Sequence, residues 1–175
     1  KVSGDLYFIG FGISRYRDNR LNLKYAHKDA LDLAQMFGKM TNYFKNVHIK
    51  TYINECATVQ NILQAKSFLD KATVDDVVVL FIAGHGLHDN DKEATYYYLT
   101  YETDPKDLKG TAARFEMIED LMQKIAPRKK LFLIDTCDSG EMDGQTPDKY
   151  FKIGEGRGLR PRATRSLTVV SGPSL

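Results

Sequence analysis

The chain has 175 residues, enough for one domain that can bury a core without disulfides or a bound metal. Lysine and arginine total 25 against 23 aspartates and glutamates, and this near balance gives no indication of a nucleic-acid or membrane partner. No apolar run reaches the 18 or so residues that a membrane helix needs. With only two cysteines, Cys56 and Cys137, the sequence predicts a protein of a reducing compartment, the cytoplasm.

The predicted elements alternate between strands and helices. Short apolar or alternating runs predict strands at Leu6–Gly10, Val47–Ile53, Val77–Ala83, Leu131–Ile134 and Leu167–Val170. Apolar residues at helical spacing predict helices from Tyr25 to about Met40, from an N-cap at Thr58 to Leu69, and from Ile118 to Ile125 before Pro127. Tyr96–Tyr101 is predicted to form an exposed hairpin. The alternation indicates an α/β fold in which helices flank a mainly parallel sheet.

Two of the predicted strands run directly into residues that can do chemistry. The strand Val77–Ala83 is followed by Gly84-His85-Gly86, and the strand Leu131–Ile134 is followed by Asp135-Thr136-Cys137. Because the carboxyl ends of parallel strands meet at one edge of a sheet, we expect His85 and Cys137 to lie side by side. A thiol beside an imidazole is an arrangement for nucleophilic catalysis. The glycines would let a backbone N–H approach a developing oxyanion.

Each residue of this pair also has an ordinary structural interpretation. A cysteine at the end of a buried strand is usually only a small apolar residue, but the order and spacing of the two motifs together favour catalysis. His88 is close enough to compete as the base. His85 is preferred because it directly follows the strand between two glycines. Cys56, His27 and His48 have no such partners and are interpreted as structural.

The two motifs, Ala83-Gly84-His85-Gly86 and Asp135-Thr136-Cys137-Asp138-Ser139-Gly140, resemble those of the caspase and metacaspase cysteine proteases. His85 precedes Cys137 by 52 residues, close to the caspase spacing of about 50. Three further segments are similar to the first strand, first helix and post-histidine segment of that family: Ile9–Ser14, Leu23–Ala30 and Tyr98–Asp104. The Asp-x-Cys-x-Ser-Gly pattern is closer to metacaspases and bacterial caspase-like proteins than to animal caspases. The resemblance implies a caspase-like three-layer sandwich, with residues 1–140 as the catalytic large subunit.

The activity implied by the resemblance is that of a cysteine endopeptidase with a Cys-His dyad. Cys137 would attack the scissile carbonyl, His85 would protonate the leaving amine, and the N–H groups of Gly86 and Cys137 would hold the oxyanion. The substrate would be a protein or peptide, and the chemistry would require no cofactor.

The resemblance also implies cleavage after arginine or lysine. By position, Asp29 and Asp135 correspond to the two acids that line the metacaspase pocket for a basic side chain. Asp135 is expected at a buried strand end, whereas Asp29 can equally be an ordinary solvent-facing acid of a first helical turn. The sequence departs from the family at Ala26, where metacaspases often have cysteine, and at Ala83, where they often have serine. These departures bear on the finer contacts of the pocket.

Residues 141–166 are polar and lack helical or strand periodicity, so we expect a flexible basic linker between subunits. Residues 167–175 would begin the strand of a small subunit, and the partner would be that subunit or the C-terminal remainder of the protein. A protease with an acidic pocket would find this linker a substrate. Pro161 makes cleavage after Arg160 unfavourable. The candidate sites of self-cleavage are Arg165 and Arg162, followed by Arg157 and Lys152.

Metacaspases can also bind calcium through clustered aspartates. Asp89, Asp91, Asp104 and Asp143 are available here, but the adjacent aspartate pair of that site is missing near Phe115-Glu116. These acids are therefore interpreted as a solvated surface, with calcium as an optional ligand and no predicted metal site.

Two other classes of protein compete with a protease. A catalytically silent caspase-like domain could serve as a scaffold, although such domains usually lack the cysteine or the histidine. A flavodoxin-like nucleotide-binding domain would need a phosphate loop after the first strand. Gly10-Phe-Gly-Ile-Ser-Arg15 lacks both the third glycine and the Lys-Ser/Thr pair of such a loop.

Overall fold

A computed structural model describes residues 4–89, 95–138 and 167–168. Seven strands are described: β1 (Leu6–Gly12), β2 (Val47–Ile53), β3 (Val77–His88), β4 (Tyr96–Tyr98), β5 (Ala113–Arg114), β6 (Lys129–Asp138) and β7 (Leu167–Thr168). Four helices are described: α1 (Ala26–Gly38), α2 (Val59–Leu69), α3 (Leu108–Thr111) and α4 (Phe115–Met122). No helix of this described part is long and apolar enough to cross a membrane.

The strands form one sheet with β3 at its centre. β1 lies beside β3 and is flanked in turn by β2, and all three strands are parallel. On the other side of β3 lies β6, also parallel, over ten paired positions. β7 is antiparallel to β6, and β4 is antiparallel to the last three residues of β3. The predicted mainly parallel sheet is confirmed.

Alternating side chains of the central strands face two separate cores, which explains the layered fold. On one face, Leu6 and Phe8 of β1 pack with Ala30, Ala34 and Phe37 of α1. On the opposite face the same sheet packs against α2 and α4, through Ile9, Phe11, Ile62, Ala65, Ile118 and Leu121. Strands covered on both faces are apolar throughout, as β1 and the first half of β3 are. The three-layer sandwich of the prediction is therefore confirmed.

The helix boundaries follow local capping, with one difference from the sequence prediction. Thr58 caps α2 as predicted, because its hydroxyl accepts a hydrogen bond from the Asn61 N–H at 3.1 Å. The helix expected to continue to Ile125 and Pro127 ends at Met122. It ends there because Gln123 is extended and Lys124 has a φ of 53°, neither of which continues a helix.

The prediction of an exposed hairpin at Tyr96–Tyr101 is wrong. Tyr97 and Tyr98 are buried in β4, which pairs with β3 on one side and β5 on the other. Their backbone is thus part of the sheet, and their rings belong to the core shared with α2 and α4.

Candidate active site

His85 and Cys137 occupy paired positions on the two central strands. In the β3–β6 ladder, His85 is the direct partner of Cys137, and the next pair is Gly86 with Asp138. Both strands are longer than the sequence predicted, so the two residues lie inside the ladder rather than after it. The adjacency inferred from strand ends is therefore present, at the level of the backbone register.

The imidazole of His85 is buried and held by the loop that follows β1. Its Nε2 lies 2.9 Å from the carbonyl oxygen of Leu21. A carbonyl only accepts, so Nε2 carries the proton and Nδ1 is the basic nitrogen of the neutral ring. Burial lowers the pKa of His85, and the hydrogen bond to Leu21 opposes this effect only in part. His85 is therefore neutral at pH 7 and able to accept a proton.

Two tyrosines position the backbone on either side of Gly84. The His85 N–H donates to the Tyr16 hydroxyl at 3.0 Å, and the Tyr98 hydroxyl donates to the Ala83 carbonyl at 3.0 Å. Gly84 has a φ of 150°, and a Cβ there would lie 2.9 Å from the Tyr16 oxygen. Glycine is required at this position because other residues rarely adopt that φ.

The position of His88 differs clearly from that of His85. His88 pairs with Tyr96 of β4 and lies beyond the last β3–β6 pair, Gly86 with Asp138. Its ring packs against Tyr96 with centroids 4.7 Å apart. The Tyr96 hydroxyl in turn lies 2.8 Å from the Thr136 hydroxyl, which links β4 to β6 beside Cys137.

The two predicted pocket acids lie on the same side of the sheet. Asp135 continues the row of Leu131 and Leu133, which packs on the α1 side, and it pairs with Ala83. Asp29 is half-buried in the first turn of α1. That turn packs over Gly12, where a Cβ would meet the backbone of α1.

Gly12 and Asp135 pair with Ala83 from opposite sides of β3. The backbone of Asp135 is therefore two strand spacings, about 10 Å, from that of Gly12. Asp135 is exposed, however, and the expected burial of this strand end is wrong. The reason is that β7 flanks β6 only at Phe132 and Leu133, so no described strand covers that side of Asp135.

Several predicted residues lie outside the described part of the chain. They include the cleavage candidates Lys152, Arg157, Arg162 and Arg165, and the aspartates Asp91 and Asp143. Within residues 4–89, 95–138 and 167–168, no group of three His, Cys, Asp or Glu could hold a metal ion. Calcium binding and self-cleavage thus stay predictions.

No motif in the sequence identifies the residues that position His85. The Leu21 carbonyl gives no sequence signal, because any residue there would supply the same group. Tyr16 and the run Tyr96-Tyr97-Tyr98 were visible as polar aromatics close to predicted strand ends. Tyrosine hydroxyls that become buried need hydrogen-bond partners, and this was the signal available.

The other histidines and the second cysteine do not pair with His85 or Cys137 in the β3–β6 ladder. His48 on the edge strand β2 donates a hydrogen bond from Nε2 to the Asp5 carboxylate at 2.9 Å, and its ring stacks on Tyr7. His27 is half-buried in α1, and its backbone N–H donates to the Ser14 hydroxyl. Cys56 is free and exposed in a single 3₁₀ turn after β2.

Comparisons with known proteins identify the family. A crystal structure of protein GSU0716 from Geobacter sulfurreducens matches with a TM-score of 0.60 at 16% identity, which shows similarity of fold alone. The match covers 78% of this chain and 52% of that one, so this chain spans about half the length of that structure. No curated protein sequence matches. The family profile of the caspase domain matches residues 9–170, and the chain therefore belongs to the caspase-domain family of cysteine peptidases.

Proposed function

We propose that the protein is a cysteine endopeptidase in which Cys137 is the nucleophile and His85 the general acid and base. The observation that carries this proposal is the direct pairing of His85 with Cys137 in the central ladder of a caspase-domain chain. His88 is the weaker candidate for the base, since its position lies beyond the last pair that β6 makes with β3.

The mechanism follows from the state of His85. Its Nε2–H is bonded to the Leu21 carbonyl, so Nδ1 takes the thiol proton as the sulfur attacks the scissile carbonyl. The N–H groups of Gly86 and Cys137, once released from the β3–β6 ladder, would stabilise the tetrahedral oxyanion. His85 then returns the proton to the leaving amine and yields a thioester. Water, activated by the same imidazole, hydrolyses the thioester and regenerates the thiol.

The dyad is tested by substitution. Cys137→Ala and His85→Ala should each reduce kcat/KM on an arginine peptide by at least about 10³-fold, because the two residues act as one unit. His88→Ala is the matched control and should retain most of the activity. Circular dichroism would verify folding of each variant. Full activity of Cys137→Ala would refute the proposal, and a dead His88→Ala beside an active His85→Ala would reassign the base.

A chemical probe separates a protease from a silent scaffold. Iodoacetamide or an arginine chloromethylketone should modify Cys137 faster than Cys56, because only Cys137 has an imidazole partner in the ladder. Modification is located by peptide mass. Preferential labelling of Cys56, which is exposed, would favour the scaffold.

We further propose that Asp29 and Asp135 select arginine or lysine before the scissile bond. The support is that both lie at one edge on the α1 side of the sheet. Asp135 is exposed in the free chain, and the bound substrate would desolvate it. Removing one partner of a desolvated charge pair costs roughly 2–5 kcal/mol, or about 30- to several-thousand-fold in kcat/KM. Asp135→Ala should therefore erase the basic preference in a fluorogenic panel.

The matched control for the pocket is Asp32→Ala, which removes an exposed acid of the same helix that pairs with Lys28. It should leave the preference unchanged, and Asp29→Ala should have an effect weaker than that of Asp135→Ala. Best cleavage of aspartate substrates would contradict this pocket assignment.

Self-cleavage within residues 141–166 is the third part of the proposal. Its support is compositional: four arginines with no acid between Gly156 and Ser166. We expect fragments ending at Arg165 or Arg162, with Arg157 and Lys152 used less. The purified protein would be incubated with and without calcium, and the fragment masses read. Equal cutting of a Cys137→Ala protein would show that another protease is responsible.

We also propose that this chain functions together with a protein partner. A small subunit, or the C-terminal remainder of the protein, would supply the strands beyond β7. Two cysteines do not make a disulfide framework and suit a reducing compartment, so we propose the cytoplasm as the location.

A further inference from the structure

A cavity that none of the proposed peptidase residues lines opens beside the first turns of α2 and α4. Its volume is about 350 Å³, within the range of small-molecule sites, about 300–1,000 Å³. The residues that matter for its chemistry are Arg17, Glu102, Lys109, Arg114 and Met117. They come from the loop after β1, the loop after β4, α3, β5 and α4, so the site exists only in the folded chain.

Glu102 has one satisfied and one unsatisfied carboxylate oxygen. Oε1 accepts the N–H of Val59, the first residue of α2, at 2.9 Å. Oε2 is buried and has no hydrogen-bond partner among the described residues. A buried acceptor without a donor is unfavourable and rare in folded proteins. A ligand hydroxyl that donates a hydrogen bond to Oε2, after a rotation of the Glu102 side chain that exposes this oxygen to the cavity, would remove this cost.

The walls around Glu102 are fixed by backbone hydrogen bonds. The Arg17 N–H donates to the Tyr101 carbonyl at 3.0 Å, and the Tyr101 N–H donates to the Ala57 carbonyl at 3.0 Å. The loops after β1 and β4 are thereby tied to the segment that precedes α2. The backbone of the cavity is therefore preformed, which lowers the entropic cost of binding a ligand.

The charges around the cavity decide which ligand fits. Arg17, Lys109 and Arg114 bring three positive charges, against the carboxylate of Glu102 in the cavity and that of Glu116, which lies 3.7 Å from Arg114 outside it, so the balance is still positive. An anion is therefore favoured, and arginine in particular suits phosphate through paired N–H groups. The donor for Glu102 is better a hydroxyl than an ammonium, because three neighbouring cations would repel an ammonium. Carboxylates commonly accept hydrogen bonds from the hydroxyls of ribose.

We infer that this cavity binds a phosphate ester of a sugar or nucleoside, with the phosphate on the basic side chains and a sugar hydroxyl on Glu102. The inference does not depend on the proposed peptidase activity. The binding test uses the Cys137→Ala chain, which carries no thiol at the dyad, so that its outcome is separate from that of proteolysis.

The experiment is calorimetric titration with ribose 5-phosphate, AMP, ribose and inorganic phosphate. Ribose 5-phosphate or AMP should bind at least about 10-fold more tightly than ribose or phosphate alone, because only the esters use both ends of the site. Tighter binding of AMP than of ribose 5-phosphate would assign the site to nucleotides, and equal binding would assign it to sugar phosphates.

Substitutions test whether the phosphate esters bind in this cavity. Arg114→Ala and Glu102→Gln should each weaken it by about 10-fold or more, and the amide oxygen that the second substitution introduces can still accept the Val59 N–H. Arg128→Ala and Glu119→Gln remove equal charges at exposed positions outside the cavity and should have no effect. Absence of binding at millimolar ester would overturn the inference. So would phosphate binding as tightly as the esters, or binding that both cavity variants leave unchanged.

Discussion

At the scale of single residues, the environment of His85 decides its protonation. The ring is buried beside Tyr16, with centroids 5.4 Å apart, and its Nε2 is hydrogen-bonded to the neutral Leu21 carbonyl. Burial in such surroundings disfavours the imidazolium, so the pKa of His85 is lowered from the ordinary value of 6.5. A neutral base is the form that general-base catalysis needs.

We expect the acid limb of the activity profile to lie below pH 6.5. The imidazole of His85 loses its basic form only as the pH falls through its lowered pKa. NMR titration of the His85 imidazole in the Cys137→Ala protein would measure this directly. A His85 midpoint above 6.5 would contradict the prediction.

The lowered pKa of His85 also makes the free energy of unfolding depend on pH. The unfolded chain binds a proton on His85 with the ordinary pKa of 6.5, whereas the folded chain resists it. The free energy of unfolding is therefore not reduced by His85 above pH 6.5. It decreases as the pH falls below that value, because the unfolded chain then binds a proton that the folded chain resists. Urea unfolding of the wild type and of His85→Gln at pH 7.5 and 5.5 would test this. The decrease in the free energy of unfolding from pH 7.5 to 5.5 should be smaller in His85→Gln than in the wild type.

Tyr16→Phe should destabilise the protein by about 1–3 kcal/mol, because it leaves the buried N–H of His85 without its acceptor. Activity should fall through kcat more than through KM, since the change moves the base and not the substrate pocket. Tyr43→Phe, at a tyrosine that is 67% exposed, is the control and should change neither. Equal unfolding midpoints for the two variants would show that Tyr16 does not hold His85.

At the scale of elements, the second half of β3 can form only because two of its positions are glycine. Gly84 has a positive φ, and a Cβ at Gly86 would overlap the hydroxyl of Tyr96. The backbone can then pair with β4 and β6 at once at Gly86. This pairing carries His85 past the end of β1 to the position opposite Cys137.

Gly86→Ala should destabilise the protein by about 1–3 kcal/mol, because Tyr96 must move and its hydrogen bond with Thr136 is lost. Tyr96→Ala makes room for the methyl group, so a double-mutant cycle should show that the two changes are not additive. Gly38→Ala is the control, because its Cβ would lie 3.9 Å from the nearest atom. Additive free energies in the cycle would contradict the overlap.

At the scale of the whole molecule, one buried aspartate, Asp76, connects neighbouring segments at the end of the sheet opposite the site. Asp76 accepts hydrogen bonds from the Asp5 N–H and the Thr73 N–H, each at 2.6 Å, and from the Thr73 hydroxyl. These bonds join the start of β1 to the turn before β3. They stabilise these two strands at the end away from the paired positions His85 and Cys137.

Asp76→Ala should lower the free energy of unfolding by more than about 2 kcal/mol, because it leaves two N–H groups without their charged acceptor. At a temperature where the variant is folded, kcat should be unchanged. Asp75→Ala, an exposed neighbour, should stay within about 0.5 kcal/mol of the wild type. Equal stability of the two variants would show that the bonds to Asp76 contribute nothing.

The sequence by itself determined the elements whose signals are local. The apolar runs around Phe8 and Leu80 predicted buried strands, and helical spacing with the Thr58 cap predicted α1 and α2. The order of the two motifs predicted that His85 and Cys137 would lie side by side, because parallel strands end at one edge. Propensity, periodicity and capping act over a few residues, so one sequence suffices to detect them.

Only the tertiary structure decided what depends on distant partners. Tyr97 and Tyr98 were expected to be exposed, and pairing with β3 and β5 buried them. Asp135 was expected to be buried, and β7 left it uncovered. The hydrogen bond of His85 to Leu21 and the unsatisfied oxygen of Glu102 also arise from residues far apart in the chain. Burial and polar pairing are properties of the packed chain, which no local pattern encodes.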